Sequence, residues 1–459
     1  MAPKFGSSGL RGLVTELTDE LVADYLHAFL SSTGHNTLYL GRDLRPSSPH
    51  IAKVILETAR ASRVDVVDCG ALGTPALALA SMSAKAPAIM VTGSHIPADR
   101  NGLKFYLPDG EVSKEDELAI NEAYVAQIRY CGTASGTLHK IDAETPYIAR
   151  YLEAFGASAL KGLKIGVYRH SSVARDTMEA VIRGLGAEVV PLANSDTFIP
   201  VDTEAVDPET REKLRGWCQE NGLDAIASTD GDADRPMLTD ETGKVIPGDI
   251  LGVLTARLLA AKSVVTPVSS NDMVRCLPDF EEVILTRIGS PFVIAGMGEA
   301  ANPEVVGFEA NGGFLLGFEA QVAGPLSPLP TRDCMLPIIA PLIAAQQAGK
   351  PLSEVMTSLP PCFTAADRVQ EIDRAKAEVF LNGLIGDESK RSTFFAPFGT
   401  IAATDLTDGL RIDFESGDVL HLRPSGNAPE FRIYSQAKSE AKAVALVECI
   451  SQRVVLEVL

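Results

Sequence analysis

A serine that could act as a nucleophile follows an apolar run of the sequence. The run Ala88–Val91 (AIMV) predicts a buried strand, and the sequence TGSHIP comes directly after it at residues 92–97. Gly93 permits an unusual turn and Pro97 prevents a helix, so we expect Ser94 to lie exposed at the carboxyl end of the strand. No G-x-S-x-G sequence occurs, and adjacent side chains on an extended loop point apart, which argues against a Ser-His hydrolase. Taken alone, the segment fits a serine-rich surface turn equally well.

Three aspartates stand at alternate positions after another apolar run. Asp230, Asp232 and Asp234 follow a strand predicted at Asp224–Ala227, and Arg235 comes next. Carboxylates at this spacing can converge on one hard cation and leave room for water and a phosphate oxygen, which suits Mg²⁺. An EF-hand is excluded because its sixth position must be glycine and is Arg235 here, where the guanidinium could instead clamp a phosphate. The alternative is an acidic, solvated turn.

A third segment, near the end of the chain, is suited to holding a phosphate. Arg423 and Arg432 lie on two predicted strands on either side of a loop, so both guanidinium groups can bind one phosphate. The loop between them carries residues that can form an anion-binding nest: Ser425, Gly426 and Asn427. No G-x-x-x-x-G-K-[ST] sequence occurs, so this is not a nucleotide-binding P-loop. The alternative is an ordinary hairpin with two exposed arginines.

Two further segments are less specific. Glu309 and Asn311, on the glycine-flanked loop 307–314, could bind sugar hydroxyls, which need acceptors and donors together. Arg11, in a glycine-rich segment, could reach a phosphate, and Lys104 could serve as an acid or base. Each of these alone is more often an ordinary loop residue or surface charge.

The elements that must position these residues alternate between short apolar runs and helical patterns, such as the helix predicted at Pro49–Ala61. The other predicted strands are Thr37–Leu40, Val64–Val67, Leu163–Tyr168, Glu188–Val190, Val264–Val268 and Val283–Leu285. Buried strands that alternate with helices indicate α/β layers with largely parallel sheets.

The last part of the chain has a different pattern. Three strands are predicted close together, at Leu410–Phe414, Val419–Arg423 and Phe431–Ser435, before a single amphipathic helix from about Ser439 to Val455. This pattern predicts a smaller α+β domain with an antiparallel sheet. Boundary signals near residues 143–147, 247–249 and 359–362 divide the chain into 1–144, 145–248, 249–362 and 363–459.

The composition and net charge of the chain exclude some classes of function. Hydrophobic residues make up 46% of the 459 residues and the formal net charge is -19, so a folded core is expected and nucleic-acid binding is not. Such a charge also repels phosphorylated metabolites, so a phosphate site must be built locally. The seven cysteines are scattered without C-x-x-C, and neither a signal peptide nor a membrane-spanning run is evident, so we expect a cytoplasmic protein with no membrane partner.

Taken together and in this order, the five segments resemble those of the α-D-phosphohexomutase family, which includes phosphomannomutase and phosphoglucomutase. The resemblance extends over nearly the whole chain, including the segment GRDLRP at residues 41–46. It implies four domains around a central cleft, carrying in turn the serine, metal, sugar and phosphate loops. It also implies interconversion of hexose 1-phosphate and hexose 6-phosphate through a phosphoserine enzyme and a hexose 1,6-bisphosphate, which serves as activator.

The resemblance assigns a role to each candidate residue. Ser94 would be the phosphoserine, and the three aspartates with a phosphoserine oxygen would hold one Mg²⁺ ion. The catalytic residues would be Arg11, Ser94, His95, Lys104 and Arg235. The substrate-binding residues would be Glu309, Asn311, Arg423, Ser425, Gly426, Asn427 and Arg432. The partner would be a phosphosugar, and the protein would be a monomer or a weak homo-oligomer.

The sequence departs from the family pattern in three places, and the departure in the sugar loop bears on the substrate. Many members have Thr-Ala-Ser-His-Asn-Pro at the serine loop, Gly at position 233 and Gly-Glu-x-Ser-Gly at the sugar loop. The serine loop is similar to that of bacterial phosphomannomutases, so we favour mannose; the sugar loop partly resembles that of N-acetylglucosamine-phosphate mutases. The alternatives are phosphoglucomutase, phospho(acetyl)glucosamine mutase, or a catalytically silent sugar-phosphate-binding protein, which would be expected to lack Ser94 or a metal-site aspartate. An alkaline-phosphatase-like hydrolase is disfavoured because the seven histidines show no ligand spacing.

Overall fold

The first sheet of the structure, a computed structural model that describes residues 3–6, 9–370, 373–424 and 430–458, is mixed and has helices beside it. Its strands are β1 (Lys4–Gly6), β2 (Gly9–Leu13), β3 (Thr37–Arg42), β4 (Asp65–Ala71), β5 (Ala88–Val91), β6 (Arg100–Leu107), β7 (Gly110–Glu111) and β8 (Leu138–Lys140). Its helices are α1 (Asp19–Thr33), α2 (Ser48–Ala61), α3 (Thr74–Ser83) and α4 (Lys114–Val125). Strands β5, β3, β4 and β8 run parallel, and β6, β2 and β1 extend the sheet antiparallel.

The second and third domains follow along the chain. The second contains α5 (Glu144–Phe155), β9 (Lys164–Tyr168), α6 (Arg175–Gly184), β10 (Glu188–Leu192), α7 (Pro208–Asn221), β11 (Ala225–Thr229) and β12 (Pro236–Leu238). The third begins with α8 (Gly248–Leu258), β13 (Ser263–Pro267), β14 (Glu282–Thr286), α9 (Ser290–Glu299), β15 (Val305–Phe308) and β16 (Phe314–Leu316). After a small hairpin of β17 (Ala320–Gln321) and β18 (Pro325–Leu326), it ends with β19 (Leu329–Asp333), α10 (Leu336–Ala348) and α11 (Leu352–Met356).

The three sheets share one topology. Their neighbouring strands are β4-β3-β5-β6, β10-β9-β11-β12 and β14-β13-β15-β16, in each case three parallel strands followed by an antiparallel one. The third strand of each set is buried along its whole length, as expected for a strand covered on both faces. The serine, metal and sugar loops are the turns that follow these strands, so they occupy equivalent places. The expected three similar mixed α/β domains are therefore confirmed.

The fourth sheet is antiparallel, as predicted, with strand order β20-β24-β23-β22-β21. Its elements are β20 (Phe363–Gln370), α12 (Arg374–Gly386), α13 (Glu388–Phe395), β21 (Ile401–Asp405), β22 (Leu410–Phe414), β23 (Val419–Pro424), β24 (Glu430–Ala437) and α14 (Glu440–Val458). The last three strands and the final helix match the sequence-based prediction. Helices α12 and α13 were not predicted, nor were β20 and β21, whose apolar pattern is interrupted by polar residues.

The largest apolar cluster joins buried side chains from the first three domains, among them Leu77, Tyr151, Leu251 and Phe308, while each of these domains also has a smaller cluster of its own. Within the described residues, the fourth domain packs around a separate cluster that includes Phe431. The fourth domain is therefore connected to the others by contacts other than a shared apolar core. In the part of the chain that the structure describes, we find no helix with the length and apolar composition required to span a bilayer.

Candidate active site

Ser94 lies directly after β5, as predicted, but it is buried, with 0% of its surface exposed. Its backbone has a φ of 54°, in the left-handed region, and its N–H donates to Thr92 Oγ1 over 2.8 Å. The hydroxyl donates to Asp230 Oδ2 at 2.5 Å and lies 3.3 Å from His95 Nδ1. The expectations of an exposed serine and of diverging neighbours were wrong, because the left-handed turn directs both side chains into the protein.

A residue outside the predicted set, Arg45, holds the serine loop in this shape. Its side chain is bound to Asp43 Oδ2 at 3.1 Å and is fully buried. The guanidinium donates to four loop carbonyl oxygens at 2.6–3.0 Å, those of Ser94, Ile96, Pro97 and Arg100. A Cβ at Gly93 would lie 2.7 Å from Arg45 Cζ, so glycine is required there for this approach. The segment GRDLRP thus contributes the residue that fixes the loop.

Asp230, Asp232 and Asp234 converge as predicted, each offering an oxygen within 4.8 Å of the others. All three are 0% exposed, so the solvated-turn alternative was wrong. Asp232 Oδ1 and Asp234 Oδ1 are buried with no hydrogen-bond donor among the described residues. Buried, unpartnered carboxylate oxygens facing one point fit a hard divalent cation such as Mg²⁺.

Two features of this loop are energetically unfavourable: the proximity of three buried carboxylates and a left-handed backbone at Ala233. Burial, together with the charges of Asp232 and Asp234, raises the pKa of Asp230 well above its usual range. Ala233 has a φ of 62°, a left-handed conformation that favours glycine, so the backbone is strained at this position.

Two buried cations balance the carboxylates. Lys104, which is 3% exposed, donates from Nζ to Asp232 Oδ2 and Asp234 Oδ2, both at 2.5 Å. Arg332 was not predicted from the sequence, yet its side chain lies at the junction of three domains. Its Nη2 is 3.0 Å from Asp234 Oδ2, its Nε 3.4 Å from Glu111 Oε1 and its Nη1 3.7 Å from Glu309 Oε2. A Cβ at residue 313 would be 2.9 Å from Arg332 Cδ, so the second glycine of the sugar loop makes room for it.

The two predicted sugar-binding residues lie in the turn between β15 and β16. Glu309 is 4% exposed, and its Oε2 has no hydrogen-bond donor among the described residues although Arg332 is near. Asn311 Oδ1 accepts the backbone N–H of Gly313 at 3.0 Å, and the backbone carbonyl oxygen of Asn311 accepts from Thr203 Oγ1 at 3.1 Å. Glu309 thus has an acceptor oxygen for a ligand, whereas both oxygens of Asn311 are used to hold the loop in place.

The remaining predicted catalytic residues form a cationic side of the site. Burial and the neighbouring Arg235 lower the pKa of Arg11 to about 10. Burial, Arg235 and Arg11 hold the pKa of His95 well below its usual range, so its imidazole is neutral. Arg235 Nε is buried with no acceptor among the described residues, and its nearest carboxylate, Asp234 Oδ1, is 3.9 Å away. This side of the site can therefore stabilise an added anion.

The phosphate loop is described only at its edges. Arg423 and Arg432 are direct cross-strand partners in β23 and β24, as predicted. Arg423 Nε is bound to Asp408 Oδ1 at 2.9 Å, and Arg432 contributes to lowering the pKa of His95, so its charge acts on the serine loop of the first domain. Ser425, Gly426 and Asn427 lie outside the described residues.

Comparisons with known proteins agree with this arrangement. Profiles of the phosphoglucomutase/phosphomannomutase family match four consecutive segments: alpha/beta/alpha domain I at residues 2–129, domain II at 145–243, domain III at 247–363 and the C-terminal domain at 364–452. Phosphomannomutases of Sinorhizobium fredii and Salmonella muenchen are 48% and 43% identical, covering 95% and 97% of this chain and 95% and 94% of their own. A solved phosphoglucomutase/phosphomannomutase family protein from Burkholderia thailandensis has a similar fold, with a TM-score of 0.79 at 21% identity over 98% of this chain and 96% of that one. The chain belongs to the phosphoglucomutase/phosphomannomutase family.

Proposed function

We propose that this protein is a phosphomannomutase, which interconverts mannose 6-phosphate and mannose 1-phosphate through a phosphorylated Ser94. The observation that carries the reaction type is the 2.5 Å contact between the Ser94 hydroxyl and the buried aspartate cluster. The high identity to two phosphomannomutases over nearly the full chain supports mannose as the sugar.

The reaction consists of two phosphoryl transfers. The phosphoryl group of Ser94 passes to the 6-oxygen of mannose 1-phosphate; the bond from phosphorus to Ser94 Oγ breaks, the proton of the 6-hydroxyl ends on Ser94 Oγ, and mannose 1,6-bisphosphate results. The bisphosphate then reverses its orientation and Ser94 Oγ takes the phosphoryl group from the 1-oxygen. The proton of Ser94 passes to the 1-oxygen, which leaves mannose 6-phosphate. The activator is the same bisphosphate, because it phosphorylates Ser94 in the free enzyme.

The site residues divide this work. Arg235 and Lys104 would stabilise charge on the moving phosphoryl group, supported by Arg11 and neutral His95. Asp230, Asp232 and Asp234 would hold one Mg²⁺ ion, which neutralises phosphoryl charge when bound. Glu309 and Asn311 would bind sugar hydroxyls. The C-terminal loop, with its residues Arg423, Ser425, Gly426, Asn427 and Arg432, would hold the phosphate that is not transferred.

A substrate comparison tests this function. With Mg²⁺ and a trace of hexose 1,6-bisphosphate, kcat/KM is measured for the 1-phosphates of mannose, glucose and N-acetylglucosamine. We expect mannose to give the highest value, and a higher value for either of the others would overturn the sugar assignment. Intact mass should show a gain of about 80 Da in wild type and none in Ser94→Ala. An active enzyme that never carries this mass would contradict the phosphoserine mechanism.

We also propose that the protein works in the cytoplasm as a monomer or weak homo-oligomer, with domains at 1–144, 145–248, 249–362 and 363–459. The site residues come from a single chain, which supports a functional monomer. Light scattering after gel filtration tests the oligomeric state, and limited proteolysis should cut first near the proposed boundaries.

A further inference from the structure

The turn between β21 and β22 contacts the phosphate site and a neighbouring domain at once. Within it, Asp408 Oδ1 accepts from Arg423 Nε at 2.9 Å. Its other oxygen, Oδ2, accepts the backbone N–H of Ile288 at 2.9 Å. Ile288 belongs to the third domain, in the loop between β14 and α9. One carboxylate of the fourth domain therefore joins a predicted phosphate-binding arginine to a different domain.

The turn is held in a defined shape. His421 Nε2 lies 2.5 Å from the Asp408 carbonyl oxygen, which can only accept, so this nitrogen donates. Asp405 Oδ1 accepts the Thr407 N–H at 2.7 Å. Gly409 has a φ of 80°, and a Cβ there would lie 2.4 Å from the Leu422 carbonyl oxygen. The Asp408 side chain is thus presented from a fixed backbone.

The contact with the third domain is polar and is not made by Asp408 alone. Arg287 Nε donates to the Thr407 carbonyl oxygen at 3.2 Å, next to the Ile288 contact. At the same interface, Arg411 Nη1 donates to the Val268 carbonyl oxygen at 2.8 Å, and Gln436 Nε2 donates to that of Ser270 at 2.9 Å. Since the fourth domain has its own apolar core, its docking depends on contacts of this kind, which can form and break more readily than a shared core.

We propose that Asp408 is a positioning residue, which orients Arg423 to bind the non-transferred phosphate. The orientation is complete when the fourth domain is docked on the loop that contains Arg287 and Ile288. This inference rests on the proposed function, because it requires Arg423 to bind that phosphate. With both carboxylate oxygens bound, Asp408 holds the Arg423 side chain in one orientation, so less freedom is lost when phosphate binds. Undocking removes the Ile288 donor and frees Asp408. By reciprocity, phosphate binding and domain docking strengthen each other.

A double-mutant cycle separates positioning from general damage. We expect Asp408→Ala and Arg423→Ala each to lower kcat/KM for mannose 1-phosphate by about tenfold to a hundredfold. Because Asp408 acts through Arg423, the double variant should be no worse than Arg423→Ala alone. Additive losses would overturn the inference. As a matched control, Glu415→Gln changes an exposed carboxylate in the next turn of the same sheet, between β22 and β23, so it should stay within about twofold of wild type.

Amide hydrogen exchange tests the link to docking without relying on turnover. In wild type, inorganic phosphate or mannose 1-phosphate should slow exchange of the peptide that contains Ile288, and in Asp408→Ala this protection should be lost. Equal protection in both proteins would overturn the inference. If the alanine variant fails to fold, Asp408→Asn, which is nearly isosteric but offers one acceptor oxygen, replaces it in both measurements.

Different results contradict the proposed function and the role of Asp408. A wild-type protein inactive on all hexose 1-phosphates contradicts the proposed function, and an unimpaired Arg423→Ala contradicts the phosphate role of Arg423; each of these results also overturns the role of Asp408. An impaired Arg423→Ala beside an unimpaired Asp408→Ala overturns only the inference about Asp408.

Discussion

At the scale of single residues, the site combines backbone strain with burial of charge. Ser94 and Ala233, one in each of the two loops that meet, have left-handed backbones without being glycine. Such conformations cost about 1–3 kcal/mol each and persist where surrounding contacts enforce them. The strain places the Ser94 hydroxyl against Asp230, which is the arrangement that phosphoryl transfer through the serine requires.

The strain at Ser94 predicts an unusual order of stability. We expect Ser94→Gly to be more stable than Ser94→Ala by about 1 kcal/mol, since glycine adopts this φ without penalty. Thermal or denaturant unfolding of the two variants measures the difference. At Ser31, inside helix α1, the order should reverse because glycine weakens a helix by about 1 kcal/mol relative to alanine. The same order at both sites would show that Ser94 is not strained.

The unpartnered carboxylate oxygens predict that Mg²⁺ stabilises the folded protein. At about a hundred times its dissociation constant, a ligand of the native state contributes about 2.7 kcal/mol, which raises the unfolding midpoint. Asp232→Asn should abolish this shift and nearly all turnover. Because Asp232 Oδ2 accepts from Lys104 and Thr74 in a buried site, the variant should also lose about 1–3 kcal/mol without metal. A midpoint shift equal to that of wild type would contradict the metal site.

At the scale of elements, one topology is used three times to present three different loops. Each loop follows the carboxyl end of the third strand and leads into an antiparallel fourth strand. Parallel sheets bring loops at their carboxyl ends to one edge, and the Ser94–Asp230 contact together with the contacts of Arg332 joins the serine, metal and sugar loops of the three sheets. The shape of each loop still depends on contacts outside it, as Arg45 shows.

Loosening the serine loop should lower turnover more than affinity. We expect Arg45→Lys to reduce kcat by about tenfold or more with a smaller change in KM, because an ammonium cannot reach four carbonyl oxygens from one position. Steady-state kinetics with mannose 1-phosphate measures both constants. Arg60 is a suitable control, since its Nε also donates to a carbonyl oxygen in the first domain, that of Gly136 at 2.8 Å, and Arg60→Lys should leave kcat unchanged. Similar losses in both variants would refute the role of Arg45.

At the scale of the whole molecule, three domains meet at Arg332 while the fourth is attached separately. Glu111, Asp234 and Glu309 come from the first, second and third domains, and each has a carboxylate within 4 Å of the Arg332 guanidinium. Burial alone would lower the pKa of Arg332, but the carboxylates of Asp234, Glu111 and Glu309 outweigh it and raise the pKa well above its usual range, so the guanidinium stays charged. This side chain therefore helps to fix the metal and sugar loops relative to each other.

Removing this charge should disturb both stability and the metal site. Arg332→Met leaves three buried carboxylates without their shared partner, so we expect a loss of about 3–5 kcal/mol and a lower unfolding midpoint. Arg332→Lys should retain part of the stability but lower kcat/KM for mannose 1-phosphate by about tenfold, because one ammonium cannot serve three carboxylates. The pair of Arg183 and Glu179 provides the control, because the Arg183 side chain is half exposed, and Arg183→Met should change stability by less than about 1 kcal/mol. A stable, fully active Arg332→Met would exclude the role.

The sequence by itself determined the residue types and the order of the candidate site loops, and most of the elements that carry them. All eight strands predicted in the first three domains overlap observed ones, because buried strands have continuous apolar runs that are visible locally. The aspartate spacing and the order of the loops likewise depend on neighbours in the chain. Only the tertiary structure decided that Ser94 and the aspartates are buried, since that depends on a second domain covering the first.

The contacts of Arg45, Arg332 and Asp408 also could not be predicted from the sequence. Arg45 binds a loop about fifty residues away, and Arg332 is separated by 221 positions from Glu111. Asp408 meets Ile288 across 120 positions. Each is a charged side chain that, read locally, resembles any surface charge. Their partners are fixed by how the domains pack, and no periodicity or spacing along the chain records that packing.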